Sequence, residues 1–582
     1  MTRDAHAVLR IAGLGAALGA SLPVISPTAM AQVPMPTQAT VPGGSAVAAP
    51  APGTGTGTGT GGAQGGTVGA EPTIAGVRPS GLRIGALGFP YSTDTPAADD
   101  LARGWRLTPS LTTQVLATDN INLTATNRRA DMVFSVTPGL LFEVDTARLK
   151  GVVNLSPTFQ AYGSDSSQNG INQNGNGQLL ATVIPEAVFV DIRGAAAVQA
   201  AGGGYAPQGN AVTTRNDQVQ TTTFQVSPYY VHRFGSTATV QVGYAFQYVK
   251  QDIGGNGSGG VTPTGQTFFT NQDFTGNEFY AVARTGEDFG RFAMEGRVVS
   301  TDYAGTGVFD GAYRRIATVE TRYAITRQVA ALVEVGYQSL NYAGTPGYTI
   351  EEPVWSVGTR LNLSPDSQIT VKYGHRDGVD SAFLQAAVAL GGRTTLYANY
   401  SDTLTTAAQT AVDLLSTTTL DELGNPIDIA TGAPVAQPFA NSFTAVQSGL
   451  MRVRSGGLTI SQVWPRDTFS FSLYRQELTP VSAAIGTTAF PQNNSYGTLS
   501  WAHELTETTT SIIQLQAGTF ESPGQSSGNL FSASLSLVHQ LTPSLSGLLQ
   551  FITTLNDQDN GIGRATQNVV LVSLRKTFED VQ

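Results

Sequence analysis

The sequence predicts an all-β fold: a transmembrane antiparallel up-and-down β-barrel of about 22 strands, with short periplasmic turns and long external loops. Three observations predict it. Charged residues make up 13% of the chain, about half the usual share, yet mean hydropathy is only −0.04. Lipid-facing residues that replace surface charge, alternating with polar ones, give that balance. Short and long connections also alternate from Trp105 onward. Finally, the last strand, Asn568–Phe578, has period 2: Val570, Val572, Leu574 and Phe578 share one face, interrupted only by Lys576.

The bulk numbers narrow the function. Net charge is −10 and pI about 5.1, with no basic stripe to neutralise phosphates, so nucleic acid is not expected as a partner. The chain has no Cys, which removes disulfides and thiolate metal sites. No segment holds the roughly 18 uninterrupted apolar residues that a membrane-spanning helix needs.

At the N-terminus, Arg3 and Arg10 precede the apolar run Ile11–Val24, and Ala29-Met30-Ala31 stands before Gln32. Residues 1–31 therefore read as a secretory signal peptide. Residues 32–104 read as a flexible periplasmic linker rich in Pro, Gly and Thr, including the Gly-Thr repeat of Gly53–Gly62, which has no charge and cannot bury a core. Residues 105–582 read as the barrel.

Within the barrel, short turns are expected near Asp145, Arg193-Gly194, Phe234, Asp288, Thr326, Ser364, Gly391, Trp464, Thr506 and Thr542, where Gly, Pro, Asp and Ser supply turn chemistry. Longer connections are expected at Thr118–Ala130, Gly163–Asn176, Gly202–Asp217, Asp252–Gly276, Ala304–Ala312 and Tyr342–Ile350. Others follow at His375–Asp380, Thr403–Asn441, Val481–Asn494, Glu521–Gly528 and Asn556–Thr566. An even strand count brings both ends of the barrel to one side, so Asn568–Phe578 should close on Trp105–Ala117.

Individual strands carry the alternation. Val333, Val335 and Tyr337 alternate with Glu334, Gly336 and Gln338, and Trp355, Val357, Leu361 and Leu363 alternate with Ser356, Gly358, Arg360 and Asn362. Aromatic residues gather near strand ends at Trp105, Tyr162, Tyr229, Tyr230, Phe234, Phe289, Tyr303, Tyr342, Tyr348, Trp464 and Trp501, as interfacial girdles would place them. The form L-[ST]-P recurs at Leu107, Leu155, Leu363, Leu478 and Leu541 and reads as turn chemistry. At Leu155 it falls inside a strand and implies a bulge, because Pro removes a ladder donor.

If the apolar alternates face lipid, their neighbours face the lumen. That face holds Glu295, Arg297, Arg314, Glu320, Arg322, Glu334, Arg360, Lys372, Arg376, Arg452 and Arg454. The two readings are a pore wall that selects solutes by charge and a structural network inside a closed barrel. The longest connection, Thr403–Asn441, reads as a mobile surface loop with a short helix at Val412–Leu423.

Catalytic constellations are missing from the sequence. His232, His375, His503 and His539 have no H-E-x-x-H spacing, and there is no G-x-S-x-G elbow or Walker-type loop. The acidic run Asn556–Gly561 lacks the bidentate Glu of a calcium loop and reads as an ordinary turn. No enzyme activity, cofactor or metal is expected.

Four stretches carry a family resemblance: Thr118–Leu123, Asp131–Leu140, Arg148–Tyr162 and Val188–Gly194. They resemble bacterial outer-membrane β-barrel porins, some found with exopolysaccharide and PEP-CTERM sorting systems. The terminal Phe578 strand also resembles the C-terminal signal by which barrel assembly machinery recognises its substrates. The resemblance implies residence in the outer membrane of a Gram-negative cell, in contact with its lipid, and a link to polysaccharide export. It supplies no catalytic or ligand residues.

The expected function is a porin or export channel with a charged lumen, passing polysaccharide or small polar solutes. The alternatives are a non-transporting barrel serving surface polysaccharide secretion and a secreted β-rich adhesin. A receptor with a folded plug is disfavoured, because the region before Trp105 is short and unpatterned.

Overall fold

The computed structural model describes residues 83–84, 90–91 and 104–578, except 202–213, 255–259, 263, 365–366, 421–425, 429–443, 522, 525–526 and 559–562. The expected signal peptide and nearly all of the expected linker lie outside the described residues. So does the last part of the acidic run Asn556–Gly561.

The first strands are β1 (Trp105–Thr118), β2 (Asp131–Asp145), β3 (Leu149–Leu155 continued by Thr158–Tyr162) and β4 (Gly170–Asn172 continued by Gly175–Ile184). Then come β5 (Val188–Ala200), β6 (Gln218–Phe234), β7 (Ala238–Ile253), β8 (Gln272–Thr285), β9 (Phe292–Gly305) and β10 (Tyr313–Ala324). The middle of the chain forms β11 (Val329–Tyr342), β12 (Tyr348–Ser364), β13 (Ser367–Arg376), β14 (Val379–Gly391) and β15 (Thr394–Thr405). The rest forms β16 (Gly449–Val463), β17 (Asp467–Ala483), β18 (Gln492–Thr506), β19 (Thr509–Glu521), β20 (Ser527–Thr542), β21 (Leu545–Gln558) and β22 (Gly563–Thr577). Each strand pairs antiparallel with the next, and the 22 strands close into one barrel.

The closing pair is the expected one, running from Val569 opposite Thr118 to Thr577 opposite Ser110. On β22, Val570, Val572 and Leu574 are 46–50% exposed, while Val569, Leu571 and Ser573 are buried. The exposed row is therefore the outer face. Lys576 breaks that row but bends to the turn after β20, where its Nζ lies 2.5 Å from Ser544 Oγ. A long cationic chain at a strand end can keep its stem on apolar surface and carry its charge to water. Other outer rows match the sequence pattern: Val333, Val335 and Tyr337 are 47–56% exposed, and so are Trp355 (40%) and Val357 (50%).

Some boundaries differ from expectation. The turn expected at Arg193-Gly194 lies between Ile184 and Val188, with Glu186 in the left-handed region (φ 62°). Arg193-Gly194 is inside β5, where a glycine followed by three alanines makes a thin strand rather than a turn. The connection at His375–Asp380 is a two-residue hairpin of Asp377 (φ 55°) and Gly378 (φ 79°), the conformation that Asp-Gly favours. The Gly163–Asn176 connection is shorter than expected, because β4 begins at Gly170. Pro157 interrupts the β3 ladder without a bulge, since Leu155 opposite Leu140 and Phe159 opposite Val136 keep one register.

The aromatic girdle is only partly as expected. Tyr230, Phe234, Phe289, Trp464 and Trp501 are exposed at the short-turn end. Tyr162, Tyr229 and Tyr342 point inward and are buried, and Tyr303 points inward and is half-buried. Tyr303 and Tyr342 belong to an apolar cluster with Phe274, Phe309, Leu404 and Val412, formed where long loops fold into the barrel.

Candidate functional site: the charged wall and the inward helix

Nine of the eleven residues expected to line a pore lie on the inward face of β9–β13: Glu295, Arg297, Arg314, Glu320, Arg322, Glu334, Arg360, Lys372 and Arg376. Three glutamates stand side by side, Glu295 opposite Glu320 and Glu320 opposite Glu334. Like charges in such a row repel, and cations compensate each of them. Glu295 accepts from Arg284 Nε at 2.7 Å and from an Arg297 terminal nitrogen at 2.8 Å. Lys372 pairs with Glu320, and Arg376 reaches Glu334 at 2.6 Å.

Arg314 stands apart from this row, toward the long loops. It is buried and pairs at 3.2 Å with Asp377 of the β13–β14 turn. That turn also meets the start of the longest loop, since Leu404 N lies 3.5 Å from Asp377 Oδ2.

Arg452 and Arg454 are the correction to the expected site. The register puts them on the face of Leu458, which lies opposite Leu473, 47% exposed on the outside. The reason is a change of phase within β16. Met451 and Val453 alternate in one phase and Leu458 and Ile460 in the other, with Gly456-Gly457 between them. The pairing runs unbroken from Met451 to Val463, so the second phase sets the faces. On this outer face both arginines converge on Asp402: Arg452 by two bonds of 2.8 and 2.5 Å, Arg454 by one of 3.2 Å.

The described first part of the longest loop does not lie on the surface as expected. Its helix, α1, spans Ala407–Thr417 instead of Val412–Leu423 and packs inside the barrel. Thr406 caps it, its hydroxyl accepting from Gln409 N at 3.0 Å, which satisfies one of the first-turn donors. Ala408, Ala411, Val412 and Leu415 are buried, the spacing of one apolar stripe. Ala411 and Leu415 pack on Ala195 and Ala197 of β5, where small side chains leave room for a helix. Val412 and Ala408 pack on the aromatic cluster, and Gln409 donates to Tyr303 Oη (3.0 Å) and Tyr342 Oη (2.8 Å).

Arg193 secures the other end of α1. It pairs with Asp191 at 2.8 Å and donates to the Leu415 carbonyl at 2.7 Å. A cation at a helix C-terminus also meets the negative end of the helix dipole. Between α1 and the wall lies a cavity of about 20 Å³, room for one water, lined by Glu278, Arg314, Gln409 and Asp413 among others. Burial raises the Asp413 carboxyl to about 6, against the opposing pull of Arg314.

The residues that sequence reading missed are Arg284, Asp191, Arg193, Asp402, Gln409 and Asp413. Period-2 alternation with Glu278 and Tyr280 is the signal that could have found Arg284, whereas Arg193 was hidden by the turn assigned to it. Asp413 carries no local signal, because only the inward fold of the loop buries it. Among the described residues, no group of three or more His, Asp or Glu side chains is placed to hold a metal ion.

No family model matches the chain, and no curated protein matches it. Solved structures align over most of it. Acinetobacter baumannii OccAB3 aligns with 6% identity, 82% of this chain and 99% of that one covered, at a TM-score of 0.32. Pseudomonas aeruginosa OccK2 (OpdF) aligns at 8%, 81%, 98% and 0.33 by the same measures. The ferric-catecholate import receptor Fiu of E. coli K12, in its closed form, aligns at 10%, 81%, 81% and 0.43. Scores this low carry no argument, and the barrel and its strand count stand on this chain's own register.

Proposed function

We propose that this chain is a bacterial outer-membrane β-barrel that passes small polar solutes through a lumen with one charged wall, narrowed by α1. The observation that carries the reading is the sorting of side chains between the two faces of the same strands. Val333, Val335 and Tyr337 stand exposed outside, while Glu334 between them is buried inside with Arg376. Apolar residues pointing out and ionic residues pointing in are what a barrel needs when lipid surrounds it and water enters it. A secreted adhesin would place those apolar rows in water, at a cost for every residue exposed.

Export by a signal peptide at residues 1–31 and recognition of the Phe578 strand by barrel assembly machinery suit this reading. Heat-modifiable gel migration of the membrane fraction, followed by planar-bilayer recording, tests it. Discrete conductance steps are expected. Protein that shows heat-modifiable migration but carries no current overturns the channel.

The inward helix supports a second reading, a non-transporting barrel that serves surface polysaccharide secretion. Under that reading a deletion strain takes up small solutes normally but secretes polymer poorly.

A further inference from the structure

The inward wall of β8–β13 carries more cations than its carboxylates can balance. Arg284, Arg297, Arg314, Arg322, Arg360, Lys372 and Arg376 share this inward face with Glu278, Glu295, Glu320, Glu334 and Glu352. That is seven positive groups against five negative ones, in a chain whose net charge is −10. Arg284 and Arg297 share Glu295, Lys372 takes Glu320, Arg376 takes Glu334, and Arg314 takes Asp377 of the β13–β14 turn.

Arg322 and Arg360 remain. Neither is within ion-pair distance of a carboxylate among the described residues. They flank β11 from both sides, Arg322 opposite Leu332 and Arg360 opposite Ala330, two residues apart on the same inward face. Leu332 and Ala330 carry no charge that could screen one guanidinium from the other. Arg360 is 5% exposed, and its Nε has no hydrogen-bond partner. A buried donor without an acceptor is costly, and a second like charge across β11 adds to that cost.

We propose that Arg322 and Arg360 form a binding site for the oxyanion group of a solute, a carboxylate or a phosphate, on the lumen wall near the β10–β11 turn. This inference rests on the channel reading and names its solute class. Guanidinium groups offer forked donors that match both kinds of oxyanion, and charge-assisted bonds of this type are the strong ones. Arg322 is half-buried and meets the solute, while Arg360 behind it supplies donors and positive potential. On the far side of the barrel Ser472, Thr498, Gln514 and Ser534 turn uncharged hydroxyls and amides inward, and Glu504 is the carboxylate at the short-turn end of that wall.

The test uses the full chain folded in detergent, with inorganic phosphate and citrate as probes. Equilibrium dialysis measures binding, and bilayer recording measures block of chloride current by the same anions. Arg322→Gln and Arg360→Gln are each expected to weaken binding and block about tenfold, the effect of losing one charge-assisted contact. Arg327→Gln, in the exposed turn beside the site, should change neither. Heat-modifiable migration shows that each variant is folded. If Arg360→Gln does not fold, Arg322→Gln alone decides.

Equal phosphate affinity in the Arg322→Gln and Arg327→Gln proteins overturns the site. Current that prefers cations and ignores both anions overturns the site while the channel stands. Anion binding that depends on Arg322, in a protein that carries no current, supports the site and overturns the channel.

Discussion

Lys372 on β13 pairs with Glu320 on β10 by lying across Gly358 on β12. A Cβ at Gly358 would meet Lys372 Cγ at 2.8 Å and the Val371 carbonyl oxygen at 2.3 Å. The glycine keeps β12 flat so that a long side chain can bridge to the middle of the glutamate row.

Gly358→Val is therefore expected to displace Lys372 and lose about 1–3 kcal/mol of stability, the range for overpacking. The measurement is urea unfolding in lipid vesicles. Gly391→Ala is the control, because nothing lies within 4 Å of a Cβ there. If both variants unfold at the same urea concentration, the bridging role of Gly358 fails.

Arg193→Ala should release α1. It removes the 2.7 Å bond to the Leu415 carbonyl and leaves Asp191 buried beside the helix without that cation. Single-channel conductance is expected to rise, with a loss of about 1–3 kcal/mol from an unsatisfied buried group. Unchanged conductance in the folded variant would show that α1 does not narrow the pathway.

The pH dependence of α1 follows from Asp413. Its carboxyl is raised to about 6 in the barrel, whereas a solvated Asp titrates near 3.9. Between those values the docked group holds a proton that the undocked group has released. Docking is therefore strongest below about pH 4 and loses that advantage as pH rises through 6. The groups facing Asp413 are Arg314 and Glu278 of the wall and the Tyr303 and Tyr342 hydroxyls. Conductance should increase between pH 4 and 6, and Asp413→Asn should abolish that increase. A flat profile in the parent protein counts against it.

Val335→Arg separates a lipid-facing surface from a water-facing one. Val335 is 56% exposed, in the middle of β11. An arginine at the bilayer midplane costs about 2–4 kcal/mol, while an exposed substitution in water usually stays within about 0.5 kcal/mol. Refolding into vesicles should show the larger loss. A change below 1 kcal/mol, about the upper end of surface effects, would sink the membrane assignment of this face.

Most of the fold was legible because period-2 alternation and turn chemistry are local. The faces of Val333–Gln338 and Trp355–Leu363 and the closure of β22 on β1 could all be read from residue order. The misplaced turn at Arg193-Gly194 shows the limit of such reading. Gly signals both a tight turn and a thin strand, and only the helix packed on Ala195 and Ala197 distinguishes them.

The sequence by itself determined a closed antiparallel barrel, its even strand number, its outward apolar rows and the inward charges of β9–β13. Tertiary structure alone decided three things: that α1 sits inside, that Arg452 and Arg454 face out, and that Arg322 and Arg360 flank β11 on one face without a carboxylate partner. The physical reason is range. Alternation fixes a side chain's face from its immediate neighbours. Which charges become partners depends on register across several strands and on where a long loop folds, and neither leaves a periodic trace in the chain.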